Sequence, residues 1–371
     1  MARMTTGTID ELMALLCCAL HGGEVPAVSD LPSLLSEARK QAVDSLLLAL
    51  PSLPVAEAER PKLLEWLSKA ATCEQRSRWM DRQVGKLAQL LDEGGVRYAV
   101  MKGQTCAHFY PRPLLRRTGD IDVYVPAVDY EHARTLLSGT GLQLKERTML
   151  HDTYVKGTLV VELHFEVNKL QWPSSDRRLR ALTTVDFDAC GQPDRFLPIG
   201  GRPVRTLPAE LNMVLLTAHS LHHVISGGLG LRQVADWQLV LTGTASELDF
   251  PRLLRLLKEL RLLRMFRVLA YVNVTHLGMS QELFAKHGLC IDDRRTRCLS
   301  SRLIRWMSVC GNFGKEIDLG KGRWRKVRYY GLFFRNLVRF FRLCPTEMLA
   351  WPIMKLWRGL TGRAHQKPRN T

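Results

Sequence analysis

Several features of secreted and membrane-spanning proteins are missing from this sequence. It has no run of about 18 apolar residues, the length that a membrane-spanning helix needs. Its nine cysteines are odd in number and scattered, and no two form a C-x-x-C pair, so neither a disulfide framework nor a zinc ribbon is expected. The apolar stretch at 12–20 follows two acidic residues, where a signal peptide would be basic. We therefore expect a protein of a reducing compartment, the cytoplasm.

Length and composition predict a globular protein with more than one module. The chain has 371 residues, of which 46% are hydrophobic and 24% charged, so two or three modules with a substantial core are expected. The spacing of apolar residues, Gly and Pro predicts five regions. They are a helical N-terminal region at 1–94, a core at 95–168, a connector at 169–207, a helical C-terminal domain at 208–320 and a basic amphipathic segment at 321–371.

Two carboxylates open a predicted strand in the core. Asp120 and Asp122 are separated by one apolar residue, and residues two apart in a strand point to the same face. Like charges side by side are most easily tolerated around a cation, and Mg²⁺ takes oxygen ligands of this kind. The alternative is that Asp120 caps the turn after Gly119 while Asp122 faces water. Alone, a D-x-D pair favours that alternative, because turn-forming Asp is common.

Two further features favour a metal site. Glu162 stands in the middle of an apolar strand at 159–165, where a lone carboxylate is costly unless something pairs with it or binds it. His164 shares the face of Glu162. Upstream, Lys102 and Gly103 follow a predicted strand and lead into a helix, which places a flexible backbone where phosphates bind. The pattern predicts an α+β fold, in which a small mixed sheet is flanked by N- and C-terminal helical domains.

These motifs resemble a known family. A strand, a small-residue turn, a helix, a D-x-D strand and a third carboxylate on a later strand form the layout of the polymerase-beta-like nucleotidyltransferase superfamily. The sequence is most similar to an uncharacterised bacterial nucleotidyltransferase family with KG, R, GDID and E-x-H motifs, here at 102–103, 117, 119–122 and 162–164. The resemblance is specific over 96–167 and looser to about 241. The superfamily's usual Gly-Ser or Gly-Gly turn is here Lys102 and Gly103.

The resemblance implies transfer of a nucleoside monophosphate from a nucleoside triphosphate, with ATP the expected donor, to an unidentified acceptor hydroxyl. The implied catalytic residues, which would also bind Mg²⁺ or Mn²⁺, are Asp120, Asp122 and Glu162. The implied triphosphate ligands are Lys102, Gly103 and Arg117. The neighbouring Arg116 is expected to be a solvated surface residue. A second class of function also fits, in which the fold is kept by an inactive binding or assembly subunit, and metal-dependent nucleotide binding separates the two.

The second half of the chain offers further candidates for substrate contact. His219 lies on a predicted helix, and Arg232 and Asp236, four apart on the next helix, read as an internal ion pair. The resemblance extends loosely to this part and makes His164, His219 and Asp236 candidate substrate residues. Ordinary packing is the alternative for each. A zinc site on His219 and His223 lacks an obvious third ligand.

Acidic residues are scarce near the end of the chain. Residues 321–371 hold thirteen Lys and Arg against one acid, Glu347, and carry +12 of the net charge of +17. A helix at 324–343 would gather its arginines in one arc, opposite Val327, Tyr330, Phe334, Leu337 and Phe341. Three partners fit: an anionic inner-membrane surface, nucleic acid, or the protein's own helical domain. Nucleic acid is the weakest, because it favours aromatics interleaved with the cations. Residues 363–371 are predicted to be a mobile tail.

Overall fold

The structure, a computed structural model, describes residues 6–314, 317 and 324–361. The predicted tail at 363–371, and most of the predicted boundary between the last two regions, lie outside the described residues. The α-helices within the described ranges are α1 (Thr6–His21), α2 (Leu31–Lys40), α3 (Arg60–Glu93), α4 (Gly103–Ala107), α5 (Tyr130–Gly139), α6 (Pro173–Thr183), α7 (Ala209–Ser226), α8 (Leu231–Gly243), α9 (Phe250–Glu259), α10 (Leu263–His276), α11 (Glu282–Lys286), α12 (Arg294–Cys310), α13 (Trp324–Phe340) and α14 (Pro345–Thr361).

In the part of the chain that the structure describes, seven strands form one mixed sheet. They are β1 (Ala99–Met101), β2 (Ile121–Tyr124), β3 (Gln143–Arg147), β4 (His151–Lys156), β5 (Leu159–His164), β6 (Arg195–Ile199) and β7 (Arg202–Thr206). Their order across the sheet is β3-β4-β5-β2-β1-β7-β6. Strand β2 pairs antiparallel with β1 and parallel with β5, while β1 pairs parallel with β7. Helices precede and follow this sheet along the chain, which confirms the predicted α+β class.

The N-terminal region contains one long helix where the sequence predicts two. Helices expected at 56–71 and 78–95 are joined in α3, which is 34 residues long. The residues between them include no Gly or Pro, so nothing interrupts the backbone hydrogen bonds. Pro61 lies in the first turn, where its missing N–H costs nothing. After the helix, Gly95 adopts a left-handed φ of +67°.

The segment expected to be a connector contributes to the sheet. Residues 169–207 contain α6 and the hairpin of β6 and β7, and Thr206 pairs with Val100 of β1. The prediction missed this hairpin because its prolines and glycines resemble those of a loop. Pro198 and Pro203 lie opposite each other in the hairpin, and β6 is the outermost strand, where proline is tolerated.

The turn between β6 and β7 packs on α3 so closely that no side chain fits at Gly200. Its φ is +62°, and an added Cβ would lie 2.1 Å from the backbone oxygen of Asp81. We expect Gly200→Ala to lower the free energy of unfolding by about 3 kcal/mol, through left-handed strain and a backbone clash. Gly201→Ala is the matched control, because its φ is +85° but its Cβ would meet nothing within 4 Å. It should cost about 1 kcal/mol. Equal losses in urea denaturation would contradict this packing.

Apolar side chains form two cores that position the site between them. One lies beneath the sheet and includes Tyr98 and Tyr130, and the other joins the helices around Trp237 and Phe266. All nine cysteines are unpaired. None of the helices in the described ranges combines the length and the apolar character that crossing a bilayer requires.

The basic helix α13 buries a different face from the one predicted. Its buried apolar side chains are Leu332, Phe333, Leu337 and Phe340. Of the predicted apolar arc, only Leu337 is among them, while Val327, Tyr330, Phe334 and Phe341 are exposed. Of the three partners that fit the sequence, the protein's own helical domain therefore covers only Leu337 of the predicted arc. The helix carries apolar residues over more than half of its circumference, so a helical projection alone does not select the buried side.

Candidate active site

Strand register brings Asp122 and Glu162 side by side on the neighbouring inner strands β2 and β5. In the parallel pair of β2 and β5, Asp122 lies opposite Glu162 and Tyr124 opposite His164. On the other side of β2, Met101 lies opposite Asp122, so Lys102 follows at the same end. Asp120 directly precedes β2. The apolar residues between these positions point into the core beneath the sheet and fix this register.

Asp122 is buried, and two neighbouring side chains compensate its negative charge. Its Oδ1 lies 2.6 Å from Lys102 Nζ and accepts a hydrogen bond from His164 Nε2 at 3.0 Å. Burial alone would raise the pKa of Asp122, but Lys102 and His164 hold that pKa well below its ordinary value. Lys102 keeps its proton for the same reason, since Asp122 outweighs the effect of burial and raises the pKa of the lysine. The pair is therefore ionised.

Glu162 is the centre of a second group that includes an unpredicted residue, His151. Glu162 Oε2 lies 3.3 Å from His164 Nε2 and 3.6 Å from His151 Nε2. Burial, and then His164, lower the pKa of His151 to about 4, so this imidazole is neutral. His164 differs, because hydrogen bonds to Asp122 and Glu162 outweigh burial and raise its pKa. Among the described residues, only His151, Glu162 and His164 form a cluster of three with metal-ligand spacing.

The backbone at Lys102 is unusual for a residue with a side chain. Lys102 has φ 52° and ψ −141°, a conformation that costs of order 1–3 kcal/mol outside glycine. Gly103 follows with φ +35°. This turn leads from β1 into α4 and sends the lysine ammonium to Asp122. The strained residue is thus the one whose cation enters the site.

Two helices of the C-terminal part close the site into a cavity. Its walls comprise Lys102, Gly103, Arg116, Gly119, Asp120, Asp122 and Glu162 from the core, with Leu216, His219 and Ser220 of α7 and Arg232, Gln233 and Asp236 of α8. His219 Nε2 lies 2.9 Å from His223 Nε2, a distance at which one imidazole donates to the other. Burial, and then His223, lower the pKa of His219. The lining therefore includes seven of the nine candidate residues, and Arg117 and His164 lie outside it.

The neighbouring arginines Arg116 and Arg117 differ in burial and in their partners. Arg116, expected at the surface, is buried and holds Asp236 through two hydrogen bonds, from Nε at 3.0 Å and from Nη2 at 2.5 Å. Tyr110 donates a third at 2.8 Å. Arg117 is half-exposed, and its Nη2 lies 3.1 Å from Asp44. The surface prediction for Arg116 is wrong because the loop before β2 turns this side chain inwards, towards the carboxylate of α8.

The ion pair expected within α8 is also different. The carboxylate of Asp236 accepts hydrogen bonds from Arg116 and Tyr110. Arg232 instead donates from Nη1 to the backbone oxygen of Arg117 at 3.3 Å. Arg232 lines the cavity, so the sequence offered it only as a structural residue and missed its position at the site. His151 lies directly opposite His164 in the antiparallel pair of β4 and β5. The sequence signal that could have identified it is the short turn around Gly157, which pairs residues at equal distances on its two sides.

Comparisons with known proteins supply the family. Two solved structures are weakly similar to this chain, with TM-scores below 0.5. They are the solution structure of the antibiotic-resistance factor ANT(2'')-Ia, at 14% identity over 53% of this chain and 95% of that one with a TM-score of 0.35, and the crystal structure of an antigenic nucleotidyltransferase-like protein from Paracoccidioides brasiliensis, at 19% identity over 57% and 97% with a TM-score of 0.36. A comparison with curated proteins gave no match.

A family model described as an uncharacterised nucleotidyltransferase matches residues 28–278. That range is more than half of the chain and contains the sheet, α7, α8 and every residue of the cavity. The chain therefore belongs to this family of uncharacterised nucleotidyltransferases.

Proposed function

We propose that this chain transfers a nucleoside monophosphate from a nucleoside triphosphate to an acceptor hydroxyl, with pyrophosphate leaving. Membership of the family supports the reaction class. The observation that carries the proposal is the parallel register that sets Asp122 opposite Glu162, in a cavity that Asp120 and Lys102 also line. ATP is the donor that we propose first. We also propose a cytoplasmic location, because all nine cysteines are unpaired.

The side chains of the cavity suit a divalent cation. Burial, and then the charges of Asp122 and Glu162, raise the pKa of Asp120, so a bound cation would favour the ionised form of this carboxylate. Carboxylate oxygens are ligands of both Mg²⁺ and Mn²⁺. Bound Mg²⁺ or Mn²⁺ would neutralise charge that develops on the phosphates during transfer. We propose Asp120, Asp122 and Glu162 as its ligands. Among the described residues these three do not have metal-ligand spacing, so binding requires their side chains to move towards the ion.

Cations of the cavity are proposed to bind the triphosphate. Lys102 supplies a mobile point charge, and the backbone N–H of Gly103 lies beside it. Arg232 lines the opposite wall and offers a forked guanidinium. Arg117 would have to leave Asp44 before it could contact a phosphate, so we propose it as a secondary contact.

As the alternative to binding the metal, Glu162 is proposed as the base of the reaction. The acceptor oxygen forms a bond to the α-phosphorus, the bond from that phosphorus to the β-bridging oxygen breaks, and pyrophosphate leaves with the electron pair. Although burial would raise the pKa of Glu162, the hydrogen bond from His164 lowers it, so the carboxylate is ionised and can take the acceptor's proton. His219 is proposed to contact the acceptor. Asp236 is proposed to hold the cavity wall, because both its oxygens bond Arg116.

One observation favours the second class of function, a binding or assembly protein without activity. The charge of Asp122 is already met within the chain by Lys102 and His164. A cation that binds here would have to compete with the lysine ammonium for that carboxylate.

Calorimetric titration of the full chain with each of the four nucleoside triphosphates tests the proposal. The titrations are run with Mg²⁺ and with EDTA in its place. We expect one nucleotide to bind with Mg²⁺, and at least about tenfold more weakly without it. Equal affinity under both conditions would favour the binding or assembly role. If none of the four binds, the transferase proposal is wrong.

A further inference from the structure

The last two helices expose an unusual number of large apolar side chains. On α13 and just after it, the exposed residues are Val327, Tyr330, Phe334, Val338 and Phe341, and on α14 they are Leu349, Ile353, Leu356 and Trp357. Successive residues are three or four apart, except for the adjacent Leu356 and Trp357, so each set forms one stripe. Scattered apolar residues are normal on a surface, but contiguous stripes mark an interaction site.

The two stripes lie on the same side of the helical hairpin. One groove is lined by Phe334, Leu337, Val338 and Phe341 of the first helix and its end, and by Met348, Leu349, Pro352 and Ile353 of the second. Residues from both stripes therefore form a single apolar face. We refer to this groove and its two stripes as the hairpin face.

Arginines border the hairpin face. Arg302 and Arg342 line the groove itself. A neighbouring groove shares Arg302 and Val338 with it and adds Arg305, Arg335 and Arg339. In the part of the chain that the structure describes, these five arginines form no ion pair with a carboxylate. Their charge is thus available to an external anion.

The hairpin is anchored to the body of the protein by its other side. Leu332, Phe333 and Phe340 are buried. Arg302 Nη1 donates to the backbone oxygen of Arg339 at 2.9 Å. From α14, the buried Glu347 accepts hydrogen bonds from the backbone N–H groups of residues 171 and 172, at 2.6 and 2.9 Å. The hairpin face is therefore what remains exposed after the helices have packed.

We propose that the hairpin face binds an anionic lipid surface. Apolar side chains in the middle with arginines at the border match an interfacial helix, whose apolar side enters the acyl region while its cations meet lipid phosphates. A second copy fits poorly, because two such faces would bring their arginines together. Single-stranded nucleic acid would stack on aromatics interleaved with cations, whereas most of these central residues are aliphatic. This inference goes beyond nucleotidyl transfer and does not depend on it.

Vesicle sedimentation tests the proposal. The full chain is mixed with phosphatidylcholine vesicles, or with vesicles in which a third of the lipid is phosphatidylglycerol. We expect binding to the anionic vesicles, at least about tenfold weaker binding to the neutral ones, and weaker binding at high salt. The Arg305→Gln, Arg335→Gln double variant should lose about tenfold on anionic vesicles. Equal binding to both kinds of vesicle, or none, would overturn the proposal.

The apolar part of the face needs its own variants. Val338 is 79% and Ile353 64% exposed, so the Val338→Glu, Ile353→Glu double variant should fold normally and lose at least about tenfold in vesicle affinity. The matched control is Leu64→Glu, Val128→Glu, whose side chains are 66% and 88% exposed elsewhere. The control should bind like the native chain, and both variants should keep its melting temperature.

Three further results would contradict the proposal, and two of them would identify another occupant of the hairpin face. The proposal fails if Val338→Glu, Ile353→Glu binds vesicles like the control. It also fails if light scattering shows a native dimer that this variant converts to a monomer, because the occupant is then a second copy. Finally, it fails if the native chain prefers single-stranded RNA to anionic vesicles at the same salt concentration.

Discussion

Asp120→Asn should weaken Mg²⁺-dependent nucleotide binding about 100-fold while leaving the melting temperature unchanged or higher. The loss of affinity follows from removal of a charged ligand, whose contact is worth about 1.5–3 kcal/mol. The gain in stability follows from burial and from the neighbouring Asp122 and Glu162, which raise the pKa of Asp120 and so penalise its charge in the folded protein at neutral pH. Calorimetry and thermal unfolding of the same variant measure both effects.

Two further variants make this result specific. Asp122→Asn removes the partner of Lys102 and His164, so it should lower both nucleotide affinity and stability. Glu146→Gln removes a carboxylate from the exposed strand β3 and should change neither. If Asp120→Asn lowers stability as much as Asp122→Asn does, Asp120 stabilises the fold and is not a metal ligand.

Asp236→Ala should lower the free energy of unfolding by about 3–5 kcal/mol, because it leaves the buried guanidinium of Arg116 without its carboxylate. A loss of this size is a large part of the stability of an ordinary domain. Urea denaturation measures it, with the linear dependence on denaturant giving the difference between variants. A loss below about 1 kcal/mol would mean that water reaches the pair as it does at a surface.

A double variant separates the cost of an unpaired charge from the loss of packing. Arg116→Met, Asp236→Leu replaces both partners by apolar side chains, which is often nearly neutral for a buried pair. It should recover most of the lost stability. A deficit of about 1–3 kcal/mol should remain, because the hydroxyl of Tyr110 loses its acceptor.

The sequence was most informative where local pattern and register determine position. Alternation along β2 places Asp120 and Asp122 on one face, and the apolar strand around Glu162 has few registers that bury its neighbours. Both strands lie next to each other in the sheet. The convergence of Asp122 with Glu162 therefore follows from short segments whose hydrophobic pattern is unambiguous.

Contacts between segments that are far apart in the chain could not be predicted from the sequence. Arg116 and Asp236 are 120 residues apart, and nothing in the run around 116–117 shows which arginine turns inwards. Prolines hid the hairpin of β6 and β7. Pro198 lies in the outermost strand, where proline is tolerated. Pro203 lies in β7, which pairs with β1 at Thr206 and not at the proline. For α13, apolar residues surround much of the helix, so only its neighbours in three dimensions determine which side is buried.

Lys102 also has a consequence for how this protein can evolve. Its backbone conformation suits glycine, whereas its ammonium lies against Asp122. Lys102→Gly would relieve the strain, but it would also leave the buried carboxylate of Asp122 with His164 and without its ammonium partner. Breaking a buried ion pair costs about 3–5 kcal/mol, whereas the backbone strain is worth about 1–3 kcal/mol. Selection for stability and selection for the site therefore act in the same direction at this codon, and an inactive lineage would keep the lysine as well.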